Sequence, residues 1–200
     1  MLREIGEIAG SVGAYILCDE IYRGLDDDYM ASIVDVYDRG IVSSSMSKVF
    51  SMAGTRVGWI VTKDKDIYDR IENRRSYDTI CDGPFDELMA AMAIENHEKV
   101  LERSRQLVRT NRKILDEWLK TQTHLSCTNE SFSTTAFITY DFDIATEELC
   151  NDIFEKKGLL LCHGGCFEIP KSFRLGYGFG DPEHFREGLR ILDEYLKTLK

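Results

Sequence analysis

The run Ala14-Tyr15-Ile16-Leu17-Cys18 is apolar without a break and gives way at once to Asp19-Glu20. A strand that reads as a continuous apolar run, not an alternation, is one buried on both faces, as parallel strands are inside an α/β sheet. The two acids then stand at the strand's carboxyl end, where sheets of this kind bind their ligands. Two shorter strands are expected downstream. Ile41-Val42 runs into the polar turn Ser43-Ser44-Ser45, and Val57-Gly58-Trp59-Ile60-Val61 follows. A short amphipathic helix from Leu2 to Ala9, with Leu2, Ile5 and Ile8 on one face and Gly10 and Gly13 behind it, precedes the first strand. Asp26-Asp27-Asp28 reads as a solvated loop.

The pattern changes at Pro84, a helix-start signal. From there to Leu119 the apolar pairs Val100-Leu101, Leu107-Val108 and Ile114-Leu115 recur at heptad spacing, which predicts one long helix with one buried stripe. The Arg and Lys residues between Lys99 and Lys113 are its solvated face. A smaller α+β unit is expected beyond it: strand from Phe132 to Tyr140, helix from Glu147 to Lys157, and strands from Gly158 to Cys162 and from Ser172 to Tyr177. A last amphipathic helix begins at Asp181-Pro182 and places Phe185, Leu189, Leu192 and Leu196 on one face.

The chain has 200 residues and a formal net charge of −10. Such a field repels a phosphate backbone or an anionic bilayer, which argues against nucleic-acid and membrane partners. With no apolar stretch of spanning length and no signal-like start, the reading is cytoplasmic. The cysteines Cys18, Cys81, Cys127, Cys150, Cys162 and Cys166 are dispersed and read as reduced thiols. Cys162-His163-Gly164-Gly165-Cys166 brings three potential metal-ligand positions close together, but no second cluster completes a tetrahedral set, so it reads as a glycine-rich turn with His163 facing solvent.

The chemistry concentrates in Ser43-Ser44-Ser45-Met46-Ser47-Lys48 and Gly54-Thr55-Arg56-Val57-Gly58. A lysine between two buried strands, followed by an arginine bracketed by glycines, is a costly arrangement unless backbone must approach something closely. Asp19 and Tyr22 stand upstream as Asp-Glu-Ile-Tyr. In this order the pieces resemble the class I/II aminotransferases of the fold-type I pyridoxal-phosphate enzymes, with their Asp-x-x-Tyr, Ser-x-Ser-Lys and Gly-x-Arg-x-Gly signatures. Gly164-Gly165-Cys166-Phe167 resembles the family's glycine-rich turn, and Phe173-Arg174-Leu175-Gly176-Tyr177 its carboxylate-binding strand. His163 stands where many relatives carry proline.

The resemblance implies roles for matched residues, with pyridoxal 5′-phosphate as cofactor. Lys48 is the Schiff-base lysine and proton carrier, Asp19 the partner of the pyridine nitrogen, and Tyr22 the phenol on the cofactor's O3′. Ser45 and Arg56, with a lesser part for Ser47, hold the phosphate, and Arg174 forks onto the substrate α-carboxylate. Trp59 packs. The implied fold is α/β: part of a large cofactor-binding domain over 1–83, a connecting helix over 84–120 and a small α+β domain over 121–200. The implied reaction is transamination between an amino acid and a 2-oxo acid in a homodimer. Relatives carry a roughly equal length of chain before the Asp-x-x-Tyr strand, with an Asn-Pro motif, a phosphate turn and a ring-stacking aromatic. The resemblance therefore makes this chain a carboxyl-terminal half, expected to retain cofactor weakly on its own and to leave the edge of its first strand exposed. Other chemistry on the same cofactor (lyase, decarboxylase or synthase) and a non-catalytic interaction module are the alternatives.

Overall fold

The computed structural model describes residues 1–26, 28–127 and 133–199. The chain divides into two compact units, Met1–Ser104 and Arg105–Lys200. In the first, helix α1 (Leu2–Ser11) leads to strand β1 (Ile16–Asp19), and a one-turn helix α2 (Ile33–Val36) leads to β2 (Gly40–Ser45). Strand β3 (Gly58–Thr62) completes a sheet of order β1-β2-β3, parallel between β1 and β2 and antiparallel between β2 and β3. The serines expected as a turn after Val42 are the second half of β2, since each pairs with β3: Ser43 with Ile60, Ser44 with Trp59 and Ser45 with Gly58.

The expectation that the first strand is buried on both faces fails. Ile16 and Cys18 are half-buried, while Leu17 between them is 70% exposed. β1 is the edge of the sheet, and its Leu17 side has little cover. The exposed apolar edge expected from the sequence is thus present.

The core of this unit lies beneath the β2–β3 connection, where Met46, Ala90 and Ala93 are buried and Phe50, Met52, Val57, Trp59 and Val100 pack on them. Phe50 and Trp59 meet edge to face at 6.3 Å, and Trp59 is therefore packing, as expected. Helix α3 (Lys65–Asp78), for which the sequence reading assigned no element, is capped by Asp64, whose carboxylate accepts from the backbone N–H groups of Asp66 and Ile67. It buries no residue fully, so it lacks the apolar stripe by which helices are read.

The single helix expected from Pro84 to Leu119 is two, α4 (Pro84–Glu95) and α5 (His97–Leu119), broken at Asn96. The Asn96 side-chain amide donates to the Met92 carbonyl, the kind of local bond by which asparagine competes with helix continuation. The buried stripe of α5 is Leu101, Ser104, Val108, Asn111 and Leu115, with Ile114 beside it. Two polar residues thus sit inside it, and the boundary between the units falls within this helix.

The second unit holds an antiparallel sheet of order β4-β5-β7-β6, made of β4 (Leu125–Cys127), β5 (Thr135–Tyr140), β6 (Cys162–His163) and β7 (Ser172–Gly176). The strand expected from Gly158 to Cys162 shrinks to Cys162–His163, and residue 132, the expected start of β5, lies outside the described residues. Helices α6 (Thr146–Lys157) and α7 (Pro182–Leu196) match their expected positions, α7 capped by Asp181 through the N–H groups of Glu183 and His184. One sheet face carries the registered pairs Ala136–Leu175 and Ile138–Phe173, all buried with Leu149, Ile153, Leu189, Leu192 and Tyr195 from α6 and α7. Each Leu, Ile and Phe among them contributes roughly 1.5–3 kcal/mol of apolar burial. Asn111, wholly buried, donates to the Tyr177 carbonyl at 2.9 Å and ties α5 to the end of β7.

Candidate active site

In the first unit the candidate residues gather at one end of the sheet. Asp19 closes β1 and registers with Ser43; Ser45 closes β2. With strands about 4.8 Å apart and a rise of about 3.3 Å per residue, the Asp19 and Ser45 backbones lie roughly 8 Å apart. Parallel pairing fixes this: β1 and β2 run the same way, so both carboxyl ends deliver their side chains to one rim. Asp19 accepts from the Ile21 N–H at 3.2 Å, which starts the turn that places Tyr22, half-buried, beyond the strand. Glu20 is different in kind. Its carboxylate accepts from the Ser32 hydroxyl and the Ile33 N–H, both at 2.9 Å, and it anchors the start of α2.

Lys48 sits in the β2–β3 connection, exposed, between the buried Met46 and Val49. The loop is tightly tied: the Met46 N–H donates to the Val57 carbonyl at 3.0 Å, Met52 to Met46 at 2.9 Å, and Ser51 to Lys48 at 2.9 Å. The Ser45 hydroxyl accepts from the Ser47 N–H at 3.2 Å. Two apolar anchors thus fix the root of the lysine while its amine stays free. Among the described residues neither the Lys48 amine nor the Tyr22 hydroxyl has a hydrogen-bond or ion-pair partner.

Arg56 follows a short 3-10 turn, Ala53–Thr55, and adopts a left-handed backbone at φ +55°. Non-glycine residues adopt this conformation uncommonly, and such positions cluster at functional sites. Its guanidinium donates to the Ala53 carbonyl at 2.8 Å and leaves its other N–H groups available. The glycines around it differ in purpose. A Cβ on Gly58 would lie 3.0 Å from the Ser44 carbonyl oxygen and 3.2 Å from the Ser45 Cβ, so glycine lets β3 close on β2, whereas Gly54 has open space.

Ser45, Ser47 and Arg56 are hydroxyl and guanidinium donors of the kind a phosphate dianion takes, beside an amine, a phenol and a carboxylate. This donor set fits pyridoxal 5′-phosphate. A recess of about 570 Å³ lies nearby against α3, walled by Ser43, Ser44, Gly58, Trp59, Arg75 and Asp82 among others, and does not include Lys48.

In the second unit Arg174 lies on the open face of β7, registered between Phe137 of β5 and Cys162 of β6. Its guanidinium stands 5.3 Å from the centre of the Phe167 ring, which meets Phe137 edge-on. That contact orients it and leaves its hydrogen-bonding fork without an ion pair among the described residues. The reading of His163 as solvent-facing is corrected. His163 pairs with Phe173, so its ring shares the face covered by α6, and it is half-buried. Among the described residues no three His, Cys, Asp or Glu side chains are placed so that they could hold a metal ion, nor is any helix long and apolar enough to cross a membrane.

Comparison with known proteins follows the same lines. The family model for aminotransferase class I and II matches residues 1–192. A crystal structure of a PLP-dependent aminotransferase from Streptococcus suis superimposes with a TM-score of 0.94 at 35% identity, over 100% of this chain and 53% of that one. Capreomycidine synthase of Streptomyces vinaceus is 26% identical over 98% of this chain and 50% of its own length. An aspartate aminotransferase of Sulfurisphaera tokodaii is 27% identical over 99% and 52% respectively. The chain spans about half the length of the curated relatives it matches.

Proposed function

The chain belongs to the class I and II aminotransferases, and we propose that it carries the lysine-bearing part of a pyridoxal-phosphate site that moves an amine from an amino acid to a 2-oxo acid. What supports this reading is that Asp19 and Ser45 end two parallel strands at one rim of the sheet, with Ser47 and Lys48 following in the β2–β3 connection. In it, residues 1–83 belong to a large cofactor-binding domain, 84–120 connect, and 121–200 form a small domain.

Pyridoxal 5′-phosphate, when bound, supplies an electron-accepting ring for the charge left when a substrate Cα loses its proton. The protein does the rest. Arg56, Ser45 and Ser47 would hold the phosphate, a dianion suited to a planar guanidinium. Asp19 would hold a proton on the ring nitrogen, and the Tyr22 hydroxyl would donate to the ring's phenolic oxygen. The Lys48 Nζ would be the base that takes the Cα proton, its root held by Met46 and Val49 while its flexible stem gives it reach. Arg174 would bind the substrate carboxylate through its fork.

Two measurements test this. Incubation with pyridoxal 5′-phosphate, borohydride reduction and peptide mapping is expected to fix the phosphopyridoxyl group on Lys48, and Lys48→Ala to abolish that adduct. Labelling spread evenly over surface lysines refutes the site. Transfer of ¹⁵N from labelled amino acids to a panel of 2-oxo acids, read by mass spectrometry, tests the reaction. The match to capreomycidine synthase favours a second reading, a synthase step on an amino acid; there the substrate is converted with no ¹⁵N reaching the acceptor.

A further inference from the structure

The turn after β6 aligns a thiol, an imidazole and a carboxylate that the reading above does not use. Cys166 Sγ lies 3.4 Å from His163 Nε2, and His163 Nδ1 lies 3.9 Å from Glu147 Oε1. Nδ1 is itself buried and has no hydrogen-bond partner. The turn is shaped around the ring. A Cβ on Gly165 would stand 2.9 Å from Nδ1, and one on Gly164 only 1.7 Å from the Ser172 hydroxyl. The first residue of α6, Thr146, donates to the Ser172 carbonyl and holds the helix end against the turn.

With its hydrogen on Nδ1, the side of Glu147, the His163 imidazole can accept from the Cys166 S–H at Nε2. Passage of the thiol proton to Nε2 leaves a thiolate beside an imidazolium, with the Glu147 carboxylate facing the opposite nitrogen. A neighbouring imidazolium is the usual means of raising a cysteine's thiolate fraction near neutral pH. The other titratable groups around the pair are Cys150 on α6, Cys162 on β6, Glu168 in the turn, and Arg174 on β7 across the Phe167 ring. Cys150 is buried and Cys162 half-buried, whereas Cys166 is open to reagents.

We propose that Cys166 is a site of reversible thiol modification, activated by His163, that takes a low-molecular-weight disulfide such as oxidised glutathione. The Cys166 S–H bond breaks and its proton passes to His163 Nε2. The thiolate attacks one sulfur of the disulfide, a new S–S bond forms, and the old one breaks. The departing sulfur leaves as a thiolate, takes the proton from His163 and is reduced as Cys166 is oxidised. The inference stands apart from the cofactor reading, since neither Cys166 nor His163 belongs to that set.

Cys81 supplies the control, being the other exposed cysteine and lying in the other unit. The chain is treated with oxidised glutathione across pH 6 to 10, and adducts are quantified by peptide mapping. At pH 7 Cys166 is expected to react about tenfold faster than Cys81, the gap narrowing toward pH 10. His163→Gln is expected to lower the Cys166 rate about tenfold at pH 7 and leave Cys81 unchanged. Glu147→Gln, on an exposed side chain, lowers it less and in the same direction. Equal rates at the two cysteines of the unaltered chain overturn the proposal without any variant, and so does a pH profile that His163→Gln leaves unmoved.

Discussion

Adding one methyl group at Gly164 is expected to unseat the turn that carries Cys166, while the same addition at Gly176, twelve positions on in the same unit, is expected to do nothing of the kind. A Cβ at Gly164 would meet the Ser172 hydroxyl at 1.7 Å, the Ile169 carbonyl oxygen at 2.5 Å and the Ser172 carbonyl oxygen at 2.9 Å. The hydroxyl cannot simply swing aside, because Ser172 is fully buried and its Oγ donates to the Ile169 carbonyl at 2.7 Å. The backbone must move, and with it go that bond and the Ile169 N–H to Gly164 carbonyl bond at 3.1 Å. Overpacking costs about 1–3 kcal/mol and each lost hydrogen bond about 1 kcal/mol, a total of roughly 3–5 kcal/mol. For a domain of this size that lowers the melting temperature by more than about 12 °C. At Gly176 nothing lies within 4 Å of the added carbon, so Gly176→Ala is expected to stay within about 0.5 kcal/mol. Thermal unfolding followed by circular dichroism compares the pair. Equal melting temperatures for the two variants would refute the steric reasoning, and so would a Gly164→Ala chain as stable as the parent.

Three further outcomes are expected. Leu17→Lys places a charge on an edge strand at a position 70% exposed, so it should reduce self-association in analytical ultracentrifugation with little change in melting temperature. Asn111→Ala removes the donor to the Tyr177 carbonyl in a fully buried setting and should cost about 1–3 kcal/mol in a denaturant titration; a loss below about 0.5 kcal/mol would show that the α5–β7 tie is dispensable. Burial pushes the Cys150 thiol up from an ordinary 9.0 to about 11. The folded chain then keeps a proton that the unfolded chain releases, so the stability present below pH 9 declines as pH rises toward 11. The melting temperature of Cys150→Ala should start lower but fall less steeply over that range, and parallel curves would exclude this thiol as the cause.

The candidate site residues stand out in the sequence because their backbone demands are local. Ser47, Lys48 and Arg56 occupy one connection with Ser45 at its root, and Gly58 announces the close approach that closes it. Elements held by polar contacts were harder to read. Helix α3 buries no residue fully and is marked mainly by the Asp64 cap and its own side-chain pairs, so a search for apolar periodicity passes over it. The break at Asn96 hides inside a good helical pattern because the apolar spacing runs on across it. The orientation of His163 is hidden for another reason: the face a residue takes depends on strand register, and only the pairing with Phe173 turns its ring toward α6. Ser104 and Asn111 replace apolar residues in the α5 stripe, which a pattern of hydrophobic pairs cannot show.

The anchoring of Lys48 also bears on how this chain tolerates change in length. Surface connections usually accept extra residues at small entropic cost. The segment from Ser45 to Gly58 is an exception, because Met46 and Val49 are both sunk in the core and Met46 is bonded to Val57 and Met52. One added residue between Met46 and Val49 either expels an apolar side chain or carries the amine to a different point on the rim. Length variation among descendants of this sequence should therefore accumulate elsewhere on the surface, and this exposed loop should keep its residue count as strictly as a buried strand.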